Sequence, residues 1–363
     1  MGRLALGGSP GERATQRPQR FLSKFGNLAY NSGATSILQC PQTDYTTQVD
    51  LIGALTVTNG ATAPTGPQVG AAPLNAYSHY GNIQVKVNGG RAPFSMPGWH
   101  ANVYSQIWRH DYVDSLASAP NTVSVTNTFV NPLRIPLTLD PITEKASWYT
   151  GDTQLFLTLN LTWNPISVMF GTPQTSTAGG STDLYREYFA APAPDEPDGW
   201  LNEISYYRQC ELYTTQQLSN GTTNINLEVD QDYVRILLIF YTGSFAAATA
   251  AVADGLYTNL SLIANDKFRL LDTVAEQKLR FEALQTYARL LPAGSAVLDF
   301  MRLEPPSRRD ILPTDANATK RLVLQILSTS SNNFVDVITE GMMDSQFAER
   351  WVRSAQQRSG TPR

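Results

Sequence analysis

The chain has 363 residues, 42% hydrophobic and 10% aromatic, enough to bury two substantial cores and too apolar for a disordered protein. Only 16% of residues are charged, with a net charge of −4, while 25 glycines and 22 prolines accompany abundant Asn, Thr and Ser, the balance of an all-β chain with long polar loops. Cys40 and Cys210 are too few and too distant for a disulfide framework or a metal-ligand cluster, and read as core residues in a reducing compartment.

Residues 1–26 form a basic arm in which Arg3, Arg13, Arg17, Arg20 and Lys24 stand against Glu12 alone. The opening MGRLALGGSPGERATQRPQR turns polar too early for a secretory signal, and Leu6 stands where a myristoylation site wants Ser or Thr. Beyond the arm, Val49, Leu51, Leu55 and Val57 alternate in TQVDLIGALTVTNG, and Ile83, Val85 and Val87 alternate with Gln84 and Lys86 in YGNIQVKVNGG, the period-two pattern of half-buried strands. Asn88-Gly89 then supplies a tight turn. In SMPGWHANVYSQIWRHDYV, Ser95 and Pro97 open a helix along which Met96, Trp99, Val103 and Ile107 form an apolar stripe. The strands LTLDP (137–141) and QLFLTLNLTW follow, the latter with Leu155, Leu157 and Leu159 on one face. A linker at 171–198 is predicted from GTPQTSTAGGSTD and APAPDEPDGW, rich in Gly, Pro, Ser and Thr.

The same order then returns. Ile225, Leu227 and Val229 alternate, and YTNLSLIANDK repeats the earlier strand with Leu260, Leu262, Ala264 and an Asn265-Asp266 turn. A second helix is predicted in DTVAEQKLRFEALQTYARLL, with a capping box at Thr273 and Glu276 and apolar positions Val274, Phe281, Leu284, Ala288 and Leu291. MRLEP (301–305) and RLVLQILSTS, with Leu322, Leu324 and Ile326, complete the echo. Its offsets are 177 (Tyr80 to Tyr257), 164 (Asp140 to Glu304) and 167 (Leu155 to Leu322), as expected for two copies of one fold whose loops differ in length. The predicted domains are 27–170 and 199–345, each a jelly-roll β-sandwich of seven or eight short strands with an inserted α-helix. The uncharged run Ile236–Ala253 is long enough to span a bilayer, but Thr242-Gly243-Ser244 divides it and its second half is only weakly apolar, so a buried strand is expected. The tail, 346–363, is basic again: Arg350, Arg353, Arg358 and Arg363 oppose Glu349, and Trp351 lies among them. Basic ends on an acidic body point to an anionic partner, lipid headgroups or nucleic acid.

Chemistry-bearing motifs are missing from the sequence. His79, His100 and His110 form neither a metal pair nor a triad, and the last two are expected on a helix surface. Asp140 and Glu304 precede matched prolines and read as strand ends, and Asp195 and Glu196 fall in the linker. Trp99 and Trp108 are expected to pack against the sandwich or a neighbouring subunit. No catalytic residue, metal or cofactor is expected.

Two tandem jelly rolls, each with a helix after a matched strand, together with a basic N-terminal arm and no catalytic motif, resemble the double jelly-roll major capsid proteins of tailless, membrane-containing bacterial viruses, the lineage that includes adenovirus hexon. The resemblance spans about 27 to 345 and rests on architecture and repeat order. It implies a homotrimer forming a pseudo-hexagonal capsomer, assembled in the host cytoplasm into an icosahedral virion shell with neighbouring capsomers and with vertex and minor capsid proteins. It also implies termini turned toward an internal lipid membrane, so that Arg3, Arg13, Arg17, Arg20, Lys24, Arg350 and Arg353 would face lipid or genome, with Trp351 as an interfacial anchor. A spike or carbohydrate-binding adhesin and a two-jelly-roll glycan-active amidase remain as alternatives; the second should show a secretory signal and an acidic cluster.

Overall fold

The computed structural model describes residues 20–42, 44–58, 60–61, 77–87, 92–108, 126–137, 148–149, 156–165, 168, 177–189, 206–229, 231–243, 250–287, 290–300, 312, 314 and 319–344. In the first half the strands are β1 (Arg20–Ala29), β2 (Thr35–Gln39), β3 (Tyr45–Thr58), β4 (Tyr80–Val87), β5 (Phe94–Met96), β6 (Thr126–Pro136), β7 (Trp148–Tyr149), β8 (Leu157–Trp163) and β9 (Thr177–Phe189), with helix α1 (Gly98–Trp108) after β5. In the second half they are β10 (Tyr206–Gln217), β11 (Gly221–Leu227), β12 (Asp232–Thr242), β13 (Ala251–Val252), β14 (Asn259–Ala264), β15 (Phe268–Ala275), β16 (Ser295–Asp299), β17 (Leu322–Ser328) and β18 (Asn333–Asp344), with helix α2 (Glu276–Tyr287) after β15.

Each half builds two four-stranded layers in the same order. The first has β1-β9-β3-β6 facing β2-β8-β4-β5, and the second has β10-β18-β12-β16 facing β11-β17-β14-β15. Short β7 and β13 attach to β3 and β12. Successive strands thus cross between two antiparallel sheets, which is the jelly-roll path, taken twice. Alternation explains the pairing. Val49, Leu51, Ile83, Val85, Leu159 and Leu161 are fully buried between the first two layers, while Ile236, Leu238, Leu260, Leu262, Leu324 and Ile326 are fully buried in a second cluster. The two sandwiches are not separate bodies: β5 pairs in parallel with β10, Phe94 opposite Cys210 and Ser95 opposite Glu211, so one nine-stranded sheet runs through both.

The Asn265-Asp266 turn forms as expected, with φ of 52° and 58°, the left-handed pair of a turn that Lys267 N closes onto the Ala264 carbonyl. Ile83 faces Leu161 as Leu260 faces Ile326, and Val85 faces Leu159 as Leu262 faces Leu324. That fixes the last echo at an offset of 165 (Leu159 to Leu324) rather than the expected 167. The run from Ile236 enters the protein as β12, an interior strand, and no helix of the described residues is long and apolar enough to cross a membrane.

Other expectations are corrected as well. The predicted linker contains β9, which pairs along its length with both β1 and β3. Its composition hid it: the strand opens TAGGSTD, and Gly180, at φ +122°, must be glycine because a Cβ there would lie 1.9 Å from the Ala54 carbonyl oxygen. The predicted arm ends inside β1, so Arg20 and Lys24 are strand residues. Helix α2 turns a different face inward, burying Leu279, Ala283 and Tyr287 and leaving Phe281 52% exposed. Its predicted capping box does not form: the Glu276 carboxylate accepts from Gly255 N, while Thr273 Oγ1 donates to Asp272.

Candidate functional site

The densest buried polar chemistry of the described residues lies where the two sandwiches meet. Pro97 accepts from Ala101 N to open α1, and Trp99 and Val103 pack inward as the apolar stripe required. His100, predicted on a helix surface, is instead buried. Its Nε2 lies 2.6 Å from Oδ2 of Asp336 on β18, 236 residues away, so α1 fastens the first sandwich to the second. Asp336 Oδ1 also accepts from Thr215 Oγ1 at 2.6 Å and from the Tyr241 hydroxyl at 3.2 Å. A buried carboxylate so engaged is costly to disturb. Burial, and then the Asp336 charge, push the Tyr241 phenol well above its ordinary value.

A second cluster lies on the same sheet. Arg235 Nε donates to Asp299 at 2.9 Å and its Nη1 to Glu340 at 3.2 Å, while the Tyr287 hydroxyl donates to Asp299. Burial alone would lower the Arg235 guanidinium, but the charges of Asp299 and Glu340 outweigh it and hold it well above the usual range. The first sandwich has a counterpart. Arg134 donates twice to Asp50, at 2.8 and 3.0 Å, across the corresponding strand pair with the charges exchanged. In that register Ile52, opposite Pro132, takes the place of Leu237, opposite Val297, and Val130 takes the place of Ser295.

His79 is buried against Tyr80, ring centroids 3.7 Å apart, and its Nδ1 lies 3.5 Å from Asn131 Nδ2. No group of three metal-ligating side chains occurs among the described residues. Cys40 and Cys210 are buried and form no disulfide, and burial raises the Cys40 thiol to about 12. His110, Asp140, Asp195, Glu196 and Glu304 lie outside the described residues, as do Arg3, Arg13, Arg17, Arg350, Trp351 and Arg353. Of the predicted basic set only Arg20 and Lys24 are placed, both in β1, and the Lys24 ammonium pairs with Asp183 at 2.7 Å. The junction residues Asp336, Arg235 and Glu340 were missed, although each is a charge inside an apolar run, in FVDVI, VRILL and VITEG, and a charge at such a position signals a buried partner.

No protein-family model matches the chain. No curated protein matches it either. Among solved structures, the chain is similar to the STIV major capsid protein, with TM-score 0.68 and 14% identity over 92% of this chain and 98% of that one. It is also similar to VP54 of PBCV-1, with TM-score 0.56 and 10% identity over 90% and 94%, and to the major capsid protein P2 from bacteriophage PM2, with TM-score 0.50 and 13% identity over 90% and 98%. The chain therefore has the double jelly-roll fold of these proteins over 90% or more of its length.

Proposed function

We propose that this chain is the major capsid protein of an icosahedral virus, a structural protein whose trimers form pseudo-hexagonal capsomers of the virion shell. The observation that carries this reading is the coverage: both sandwiches, in tandem and joined, match capsid subunits over nearly their whole length. The junction supports it, because a tile subunit needs its two sandwiches held at a fixed angle, which the His100–Asp336 contact and the shared sheet provide. A glycan-active enzyme is less well supported, since Asp299 and Glu340 both serve Arg235. Light scattering on purified protein should give three times 39.9 kDa, and negative-stain images a six-cornered outline. A monomer at micromolar concentration overturns the reading.

The basic termini are assigned to the inner side of the shell. Each basic residue near an anionic bilayer contributes about 1 kcal/mol, screened by salt. Because β1 begins at Arg20, the test is deletion of residues 1–19. It should leave both sandwiches folded while abolishing binding to phosphatidylserine vesicles at low salt. Unchanged vesicle binding refutes the assignment, and a preference for nucleic acid over vesicles replaces lipid with genome as the inner partner.

A further inference from the structure

Strand directions place both ends of the fold at one pole of the double sandwich. The end of β1 adjoins the start of β4, because Gly33 N donates to the Trp163 carbonyl and Trp163 lies opposite Tyr80. Strand β1 therefore begins where β4 finishes and β5 starts. Strand β10 runs parallel to β5, and β18 ends at Asp344 opposite Tyr206, the first residue of β10. Arg20 and Asp344 thus stand at the same pole, and the basic arm and tail join the fold there. The β14–β15 turn lies at that pole too. Ala264 is opposite Leu322, and Leu322 is opposite Leu227, which ends β11 where β12 begins beside the last residues of β18.

The turn is a braced, exposed point. Asn265 Oδ1 accepts from Lys320 N at 2.8 Å and from Arg321 N at 3.3 Å, which ties the turn to the entrance of β17. Asp266 is taken by Arg321 at 3.0 Å, and Asp272 by Arg269. Among the described residues Lys267 and Lys320 make no ion pair, and both are exposed. Next to Lys267, Phe268 opens β15 with 64% of its surface exposed. Glu228 and Asp232, at the near ends of β11 and β12, bring the local charge close to neutral. What marks the turn is therefore an outstanding phenyl ring beside two uncommitted ammonium groups, the pairing that suits the boundary between lipid headgroups and acyl chains.

We propose that the β14–β15 turn is a membrane-insertion point: Phe268 enters the headgroup–acyl boundary of an anionic bilayer while Lys267 and Lys320 stay among its phosphates. The occupant is a bilayer because the arm and tail assigned to a membrane join the fold at the same pole, and because the ring gains by leaving water there, whereas a nucleic-acid duplex would use the lysines and leave the ring in water. The inference rests on that inner-membrane reading of the termini. The arms attract the bilayer by charge, which salt screens; the ring adds a short-range apolar contact, which salt does not screen. The counterpart turn of the first sandwich, at Asn88-Gly89, lies outside the described residues.

Position 268 can be read directly in the full chain. Cys40 and Cys210 are buried, so a Phe268→Cys variant takes a thiol-reactive NBD label at that position alone. An Asn220→Cys variant carries the same label on the exposed β10–β11 turn at the opposite pole. With phosphatidylserine vesicles containing a spin-labelled lipid, the label at 268 should respond to binding and be quenched by the spin label, and the label at 220 should do neither. Phe268→Ser keeps the backbone bonds of the turn and should keep the wild-type circular dichroism, yet weaken vesicle binding about tenfold without changing its dependence on salt. Lys267→Gln combined with Lys320→Gln should lower the salt dependence instead. A wild type that binds vesicles while the label at 268 stays unquenched overturns the insertion point and leaves the inner-membrane reading of the termini standing. A label at 268 that responds to a DNA duplex and not to vesicles also overturns it, and makes nucleic acid the occupant. A wild type that binds no vesicles overturns both.

Discussion

Asp50–Arg134 in the first sandwich and Arg235–Asp299 in the second bridge the same strand pair with the charges exchanged, yet they sit in different dielectric settings. The Arg134 and Asp50 side chains are 32% and 14% exposed, those of Arg235 and Asp299 14% and 9%, and the second pair gains Glu340 at 1%. A shared fold therefore fixes where a charge pair sits, while what covers the sheet fixes what it contributes. Where solvent screens the arginine the pair contributes little; where the pair is covered, removal of one partner strands the other.

The largest expected effect follows directly. Asp299→Ala takes from Arg235 the carboxylate its Nε donates to and removes the acceptor of the Tyr287 hydroxyl, and should cost about 3–5 kcal/mol. The equivalent change in the first sandwich, Asp50→Ala, should cost about 0–1 kcal/mol in the isolated chain. Urea unfolding of both variants under monomeric conditions measures the gap. Equal losses would mean that burial does not separate the two sites and would break the comparison.

How much of this was readable in advance depends on the range of the interactions. Alternation is local, so the strands carrying Val49–Val57, Ile83–Val87, Leu260–Leu262 and Leu322–Ile326 were legible, and with them the duplication. Strand β9 was not, because its glycines and threonines owe their place to the backbone of β3, which no window around them contains. The face of α2 was misjudged for a related reason. Apolar spacing pointed to Phe281, but the Tyr287 hydroxyl reaches Asp299 and turns the 279-283-287 stripe inward, leaving Phe281 exposed. The candidate site was the least legible of all, since the bond of His100 spans 236 residues and nothing near residue 100 announces an aspartate on β18.

The smallest expected effect sharpens the comparison at one more position. Asp183 on the open face of the first sandwich corresponds in register to Ile338, buried on the closed face of the second. Hydrogen bonds from Lys24 and Asn27 hold its carboxyl below the usual range. A carboxylate depressed in the folded state stabilises the fold above its unfolded value near ~3.9, and that contribution disappears as the pH falls through the lower folded value. Wild-type protein should therefore lose stability below about pH 4, and Asp183→Asn should flatten that part of the acid limb without changing stability at neutral pH beyond the loss of an exposed pair. Chemical unfolding at a series of pH values from about 6 to about 2 reads the slope. Ile338 cannot titrate, so the closed face has no matching component. Superimposable acid limbs for the wild type and Asp183→Asn would show that the Lys24–Asp183 contact carries no folding energy.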